Sequence, residues 1–523
     1  MMLLTLIWLC QASPSARSAN DSRDTEAQQT LREKVTGYRA EHEKEIIQEF
    51  RQLLSLPNLA SDGPNIQKNA HAIADLLKAH GVQAKLLESE GAPPVVFGEL
   101  QSPGAKSTIT FYAHYDGQPV DKTQWKGDPW IPVIRDRPLE AGGQIIEWDS
   151  IPNHLPPDWR LYARSASDDK APIIAMVTAL DALRASGIAL SVNLKFFFEG
   201  EEEAGSPHLE SFLDKYRSQL ATDAWILCDG PVHQSNRMQV YFGARGTTDL
   251  EMTVYGPNRG LHSGHYGNWA PNPIVLLTHL LDSMRAEDSR ILIYGYYDDV
   301  RPLTTAERRA LSELPKIDEQ LKSELGLAWS EGDVASLAEQ ILKPAINVRG
   351  IQAGHVGAQA ANVISTEASA SIDFRLVPNE TPDNIRRLVE RHIEKMGFYI
   401  VHDAPDAATR RSHARIIKLG WAPGYPAART QMDLPMSRAV VSAIEGALGA
   451  PVIKVPGLGG SIPMYLFQEA SHVPVIGVPI VNYDNNQHSS NENIRLGHLW
   501  DGIAVFAGLF ASLGPDIAGA QSR

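Results

Sequence analysis

The chain has two cysteines in 523 residues, Cys10 and Cys228. That excludes a disulfide framework and a thiolate zinc cluster. Any metal in this protein must therefore be held by His, Asp and Glu. Basic charge is also scarce: 48 Lys and Arg stand against 62 Asp and Glu, for a formal net charge of −14. Nucleic acids and anionic membranes need a positive surface, so neither is an expected partner. Beyond the N-terminus no stretch reads as long and apolar enough to span a bilayer. Internal repeats are missing too.

What is present fits a soluble globular chain, with 43% hydrophobic and 21% charged residues. Its length exceeds one ordinary core and suggests two domains. Residues 3–10 are apolar, and Ala12 sits where a small-residue cleavage site would fall, yet no Lys or Arg precedes them. The segment is read as an export signal to a periplasmic or secreted destination, against a plain cytoplasmic tail. Residues 12–29 are small and polar and are expected without fixed structure.

Helical periodicity covers 31–56 and 66–80, the second closed by Gly81. Strands are expected at 82–87, 95–100, 108–113, 192–198 and 224–228, with helices at 171–185 and 207–220. Residues 137–158 read as a loop with Pro, Gly and Trp. From about Arg245 the pattern changes to long alternating strands, 248–255 and 365–377. The helices between and after them are 273–284, 305–314, 334–342 and 383–396. That is the pattern of an α+β domain with an antiparallel sheet. Near Leu434 the first pattern returns, with helix 436–448, strands 452–455 and 475–481, and helix 496–513. The second domain thus reads as inserted, 245–433, into an α/β domain of 30–244 plus 434–523.

The centre of the chain is 196–206, where an apolar run ends in Glu199, Glu201, Glu202 and Glu203. Four carboxylates in five residues repel one another unless cations or protons compensate them. The plainer alternative is a solvated acidic turn. Against it, other apolar segments also end in metal-type donors. His114 and Asp116 follow one strand, Asp229 another, and His488 follows 475–481 after a short loop. Asp168 precedes a helix. In open α/β sheets functional groups gather beyond the C-terminal strand ends. Imidazole and carboxylate without thiolate suit zinc, manganese or cobalt in a hydrolytic site.

Tyr112-Ala113-His114-Tyr115-Asp116-Gly117-Gln118-Pro119, Ser167-Asp168-Asp169-Lys170, Glu199 to Ser206, Asp229-Gly230 and His488 to Glu492 stand in the order of the M20 metallopeptidase motifs. The sequence resembles that family from about Leu31 to the C-terminus. The carnosinase and nonspecific dipeptidase branch is the most similar, as Leu261-His262-Ser263-Gly264 and Phe374-Arg375-Leu376-Val377-Pro378 suggest. The resemblance implies a zinc-exopeptidase-like catalytic domain, a mixed sheet flanked by helices, with an inserted α+β dimerisation or lid domain. It implies two divalent metal ions, zinc by preference. His114, Asp168 and Asp229 would bind one, and Asp168, Glu203 and His488 the other. Asp168 would bridge them, with a cis bond to Asp169. Asp116 would orient His114, and Glu202 would be the general base. His262 would act as oxyanion donor in the site of a partner subunit, so a homodimer is implied. Arg375 would bind the substrate carboxylate, with Asn362 and the Gly460-Ser461 loop as further contacts.

Some positions depart from the family. Ala163, Ser165 and Ala171 stand where glycines are usual around the bridging aspartate. The 137–158 connector is longer than usual and is expected to rim the site. The expected function is hydrolysis of dipeptides or short peptides beside a free C-terminal carboxylate. An N-acyl-amino-acid deacylase of the same fold is the alternative, and a non-catalytic binding protein is the alternative of another class.

Overall fold

The computed structural model describes residues 14–332, 335–460 and 462–521. The signal-like segment and Ser461 lie outside them. Strands β1 (Gln83–Leu87), β2 (Val95–Leu100), β3 (Thr108–His114), β4 (Val133–Arg135), β5 (Ile145–Ile146), β6 (Arg160–Tyr162), β7 (Asn193–Glu199) and β8 (Ala224–Leu227) follow in chain order. β3, β7 and β8 carry near-continuous apolar runs and are buried on both faces. Strands covered on both sides need no alternation, and these three lie parallel in the order β7-β3-β8. β2 and then β1 extend the sheet antiparallel beyond β7. The sheet is therefore mixed, as expected.

By contact, the first unit takes in Met1–Met238, Leu434–Val452 and Val478–Arg523. Its helices include α1 (Pro14–Glu41), α2 (Glu43–Leu54), α3 (Gly63–Ala79) and α4 (Lys170–Ala185). α4 is apolar nearly all round and buried along its length, packed on the helix Leu496–Gln521. Phe510 meets Phe111 edge-on at 5.0 Å, and Phe196 joins them at 6.2 Å from each.

Several sequence expectations need correction. Residues 14–29 are helical, as the N-terminal extension of a helix nucleated by its packed C-terminal half. The expected helix 31–56 is broken at His42 into α1 and α2. Leu496–Gly514 does pass the length and apolarity test for a membrane span, which the sequence reading denied. It is largely buried, and its apolar surface is that of a core helix. Residues 137–158 are not a bare loop. β5 pairs with β4, β4 with β6, and β6 with Asn493–Arg495, all antiparallel. Lys44 of α2 donates to the Ile151 carbonyl, Glu43 accepts from Leu155 N, and the Arg51 guanidinium lies 4.2 Å over the Trp148 ring.

The second unit takes in Gln239–Asp433 and Ile453–Gly477, against an expected insertion of 245–433. Strand pairing carries the extra segment: Ile453–Val455 runs parallel to Gln239–Tyr241, and Gly477 pairs with Tyr241. Its main sheet runs Ala345–Gln352, Glu367–Leu376, Gly246–Tyr255, Ile416–Trp421, Tyr399–Val401. Only the last pair is parallel. Burial alternates along Gly246–Tyr255 because helices cover one face, with Leu250, Met252 and Val254 packing on Leu277, Leu280, Ile385 and Val389.

One stability prediction arises at the end of α3. Burial pulls the His80 imidazole down, but hydrogen bonds to Asp181 (2.6 Å) and Glu49 (3.1 Å) outweigh it and raise its pKa from 6.5 to about 9. A group raised on folding stabilises fully below its unfolded pKa and loses that contribution as pH rises through the folded one. The wild type should lose on the order of 2 kcal/mol between pH 6.5 and 9.5 that His80→Gln does not lose. Urea unfolding at both pH values measures this, and parallel changes in the two proteins would refute it.

Candidate metal centre

The three parallel strands end in register. His114 is the last residue of β3 and lies opposite Glu199, the last of β7. Tyr112 lies opposite Leu227, the last of β8, and Asp229 follows two residues on. Donors from distant parts of the first unit thereby converge on one edge. Among the described residues two groups bring three donor atoms within 4.8 Å of one another: His114, Asp168, Asp229, and Asp168, Glu203, His488. Asp168 belongs to both. Its Oδ1 is 2.9 Å from His114 Nε2 and its Oδ2 is 3.1 Å from His488 Nε2. The Asp168–Asp169 peptide is cis. His488 Nε2 is also 3.3 Å from Glu203 Oε2.

The acidic run is not a solvated turn, because three of its four carboxylates have separate hydrogen-bond partners. Glu199 accepts from the Tyr112 hydroxyl at 2.8 Å, and burial pushes its pKa up to about 8. Glu201 turns away to His208, 3.0 Å from its ring. Glu203 accepts from Gln118 Nε2 at 2.7 Å. Glu202 lies outside both donor groups, 4.0 Å from His114 Nε2. Asp116, fully buried, approaches His114 Nδ1 at 3.3 Å and accepts from the backbone nitrogens of Glu202 (3.1 Å) and Glu203 (3.0 Å). It ties the double glutamate to the histidine. Only the contact to His114 was anticipated from sequence. Gln118 had no assigned role, and its place two residues after Asp116 was the only available hint.

Electrostatics show what the cluster needs. Burial pushes Glu202 well above the carboxylate range, and the charges of Asp229, Asp168 and Glu203 add to it. Burial, then the Asp168 charge, raises Glu203 to about 7 and Asp229 to about 6. Burial would raise Asp168 as well, but hydrogen bonds from His114 and His488 hold it low. The hydrogen bond to Asp168 lifts His488 to about 9. Without cations, protons must occupy this site. Divalent cations relieve the same repulsion more completely, and two imidazoles with three carboxylates suit zinc, manganese or cobalt. The residues fit a pair of metal ions.

The remaining candidates belong to the second unit. His262 and Asn362 are neighbours there: His262 pairs with Val363, and Ser263 N donates to the Asn362 carbonyl at 2.9 Å. His262 Nδ1 accepts from Gly264 N at 3.0 Å, so its Nε2 carries the hydrogen. Arg375 Nε donates to Asp373 at 3.0 Å. Gly460 lies in an exposed bend, with open space where a side chain would stand.

Fold and donor set together are those of a dinuclear metallohydrolase. The model of peptidase family M20/M25/M40 matches residues 110–512, and the chain belongs to that family. It is 26% identical over 512 residues to the human Beta-Ala-His dipeptidase, covering 92% of this chain and 93% of the relative. To the Cys-Gly metallodipeptidase dug1 of Schizosaccharomyces pombe it is 26% identical over 420 residues, 79% of this chain and 81% of the relative. Among solved structures it is similar to an M20 family metallo-carboxypeptidase from Sulfolobus solfataricus. There the TM-score is 0.71 and the identity 27%, covering 90% of this chain and 99% of that one.

Proposed function

We propose that the protein is a dinuclear metallodipeptidase, hydrolysing the amide bond of a dipeptide or short peptide beside a free C-terminal carboxylate. The observation that carries this reading is Asp168, shared by two donor groups, with the Glu202 carboxylate beside them and in neither. Two divalent ions bound there, zinc by preference with manganese or cobalt as alternatives, would lower the pKa of a water and polarise the scissile carbonyl. His114, Asp168 and Asp229 would hold one ion, and Asp168, Glu203 and His488 the other. Glu202 takes the proton of the attacking water and returns it to the leaving amine. Asp116 keeps that base in place through the backbone nitrogens of both glutamates.

Arg375 offers a guanidinium fork for the terminal carboxylate. Asn362 and the Gly460-Ser461 loop add polar contacts. His262 donates from Nε2 to the developing oxyanion, in the site of a partner subunit. A homodimer is in keeping with the edge strand Ala345–Gln352, whose last six residues are exposed, Val348 and Ile351 among them. An open strand edge of this kind is a template for pairing.

Two relatives named as dipeptidases favour peptides over acyl amino acids. The test is a panel of dipeptides and N-acetyl-amino acids presented to the zinc-reconstituted protein. Dipeptides should be cleaved with kcat/KM at least about tenfold higher, a difference of roughly 1.4 kcal/mol. The reverse preference would make the protein a deacylase.

A further inference from the structure

Glu492 is a carboxylate with no solvent exposure and five donors. Its Oε1 accepts from the backbone nitrogens of Ser167 (2.9 Å) and Asp168 (2.9 Å) and from the Ser167 hydroxyl (2.8 Å). Its Oε2 accepts from Ser165 N (2.9 Å) and Arg164 Nη1 (2.8 Å). The Glu492 carbonyl accepts from Ala163 N at 3.2 Å. Arg164 reaches on with Nη2 to the carbonyl of Ser489, at 3.1 Å, one residue past His488. Donors to this side chain all come from the loop that ends in Asp168, and the guanidinium clamps the turn that carries His488. Ser165 and His488 both have left-handed backbones, with φ of 61° and 58°, which L-residues other than glycine adopt unwillingly. Glu492 binds Ser165 N directly, and Asn58 Nδ2 donates to the Ser165 hydroxyl at 2.8 Å.

We propose that Glu492 is a positioning residue of the metal centre. It sets the Asp168 carboxylate and the His488 imidazole at the spacing that both cation sites need, and so governs affinity for both ions. This rests on the reading of Asp168 and His488 as metal ligands. Charge-assisted bonds to backbone N–H groups are short and directional, so they fix a loop more tightly than packing alone. Groups that hold metal ligands in place typically change affinity ten- to a hundredfold when altered.

The experiment is zinc affinity by chelator competition, measured well below the melting temperature, on the full chain and on Glu492→Gln. The amide keeps the shape but turns an N–H donor toward other donors. Zinc affinity should fall about ten- to a hundredfold at both sites, since Asp168 is common to them, while the circular dichroism of the zinc-free protein matches wild type. Two zinc ions bound with wild-type affinity would overturn the proposal, whatever the activity. Should Glu492→Gln fail to fold, Ser167→Ala decides, because it removes a single donor and keeps the charge. A weakening of a few-fold supports the proposal and unchanged affinity overturns it. A wild-type protein that takes up no divalent ion would instead overturn the reading of the site.

Discussion

Glu202→Gln should lower kcat on dipeptides by about a thousandfold while both metal ions stay bound. Glutamine has the same shape but no site for a proton at neutral pH. The bonds that hold this residue come from its backbone nitrogen to Asp116, so the substitution leaves them intact. Since Glu202 is in neither donor group, metal content should match wild type. The measurement is steady-state kinetics with metal analysis on the same preparation. Unchanged activity would remove Glu202 from the mechanism. Lost metal would move it into the ligand set.

Removal of the shared carboxylate should act differently. Asp168→Ala takes one donor from both groups at once and leaves each with two. Zinc stoichiometry should fall from two to at most one, and kcat/KM by about 10⁴-fold, the equivalent of several kcal/mol of lost charge stabilisation. Asp229→Ala and His488→Ala each deplete one group only, so each should spare the other ion. Equilibrium dialysis with metal analysis separates the three variants. Two ions retained by Asp168→Ala would refute the shared-donor arrangement.

Much of the site is local in origin. His114, Glu199 and Asp229 stand at or just past the ends of apolar runs, and a parallel sheet places such ends side by side. Asp168 heads a helix whose all-round apolarity marks it as core. Residues whose role depends on distant partners were silent. Glu492 looks like an ordinary motif acid until its donors appear, and Ser167 lies 325 positions away in sequence. Gln118 and Glu203 are 85 positions apart. The pairing of β4, β5 and β6 is not legible in the sequence because these strands have only two or three residues, too few for periodicity to register. The helix at 496–513 is legible in the sequence, but whether so apolar a helix faces lipid or a protein core depends on its neighbours.

Read on its own, the sequence determined the chemical class of the ligands, the strands that carry them and the α/β character of the part that holds them. Composition and periodicity are written locally. Only the tertiary structure decided the partners of the neighbouring glutamates: Tyr112 for Glu199, His208 for Glu201 and Gln118 for Glu203. It also decided that a buried carboxylate from the C-terminal region grips the loop beneath that aspartate. Those outcomes depend on distances between segments hundreds of residues apart, and hydrogen bonds and charges act over a few ångströms that no local pattern records.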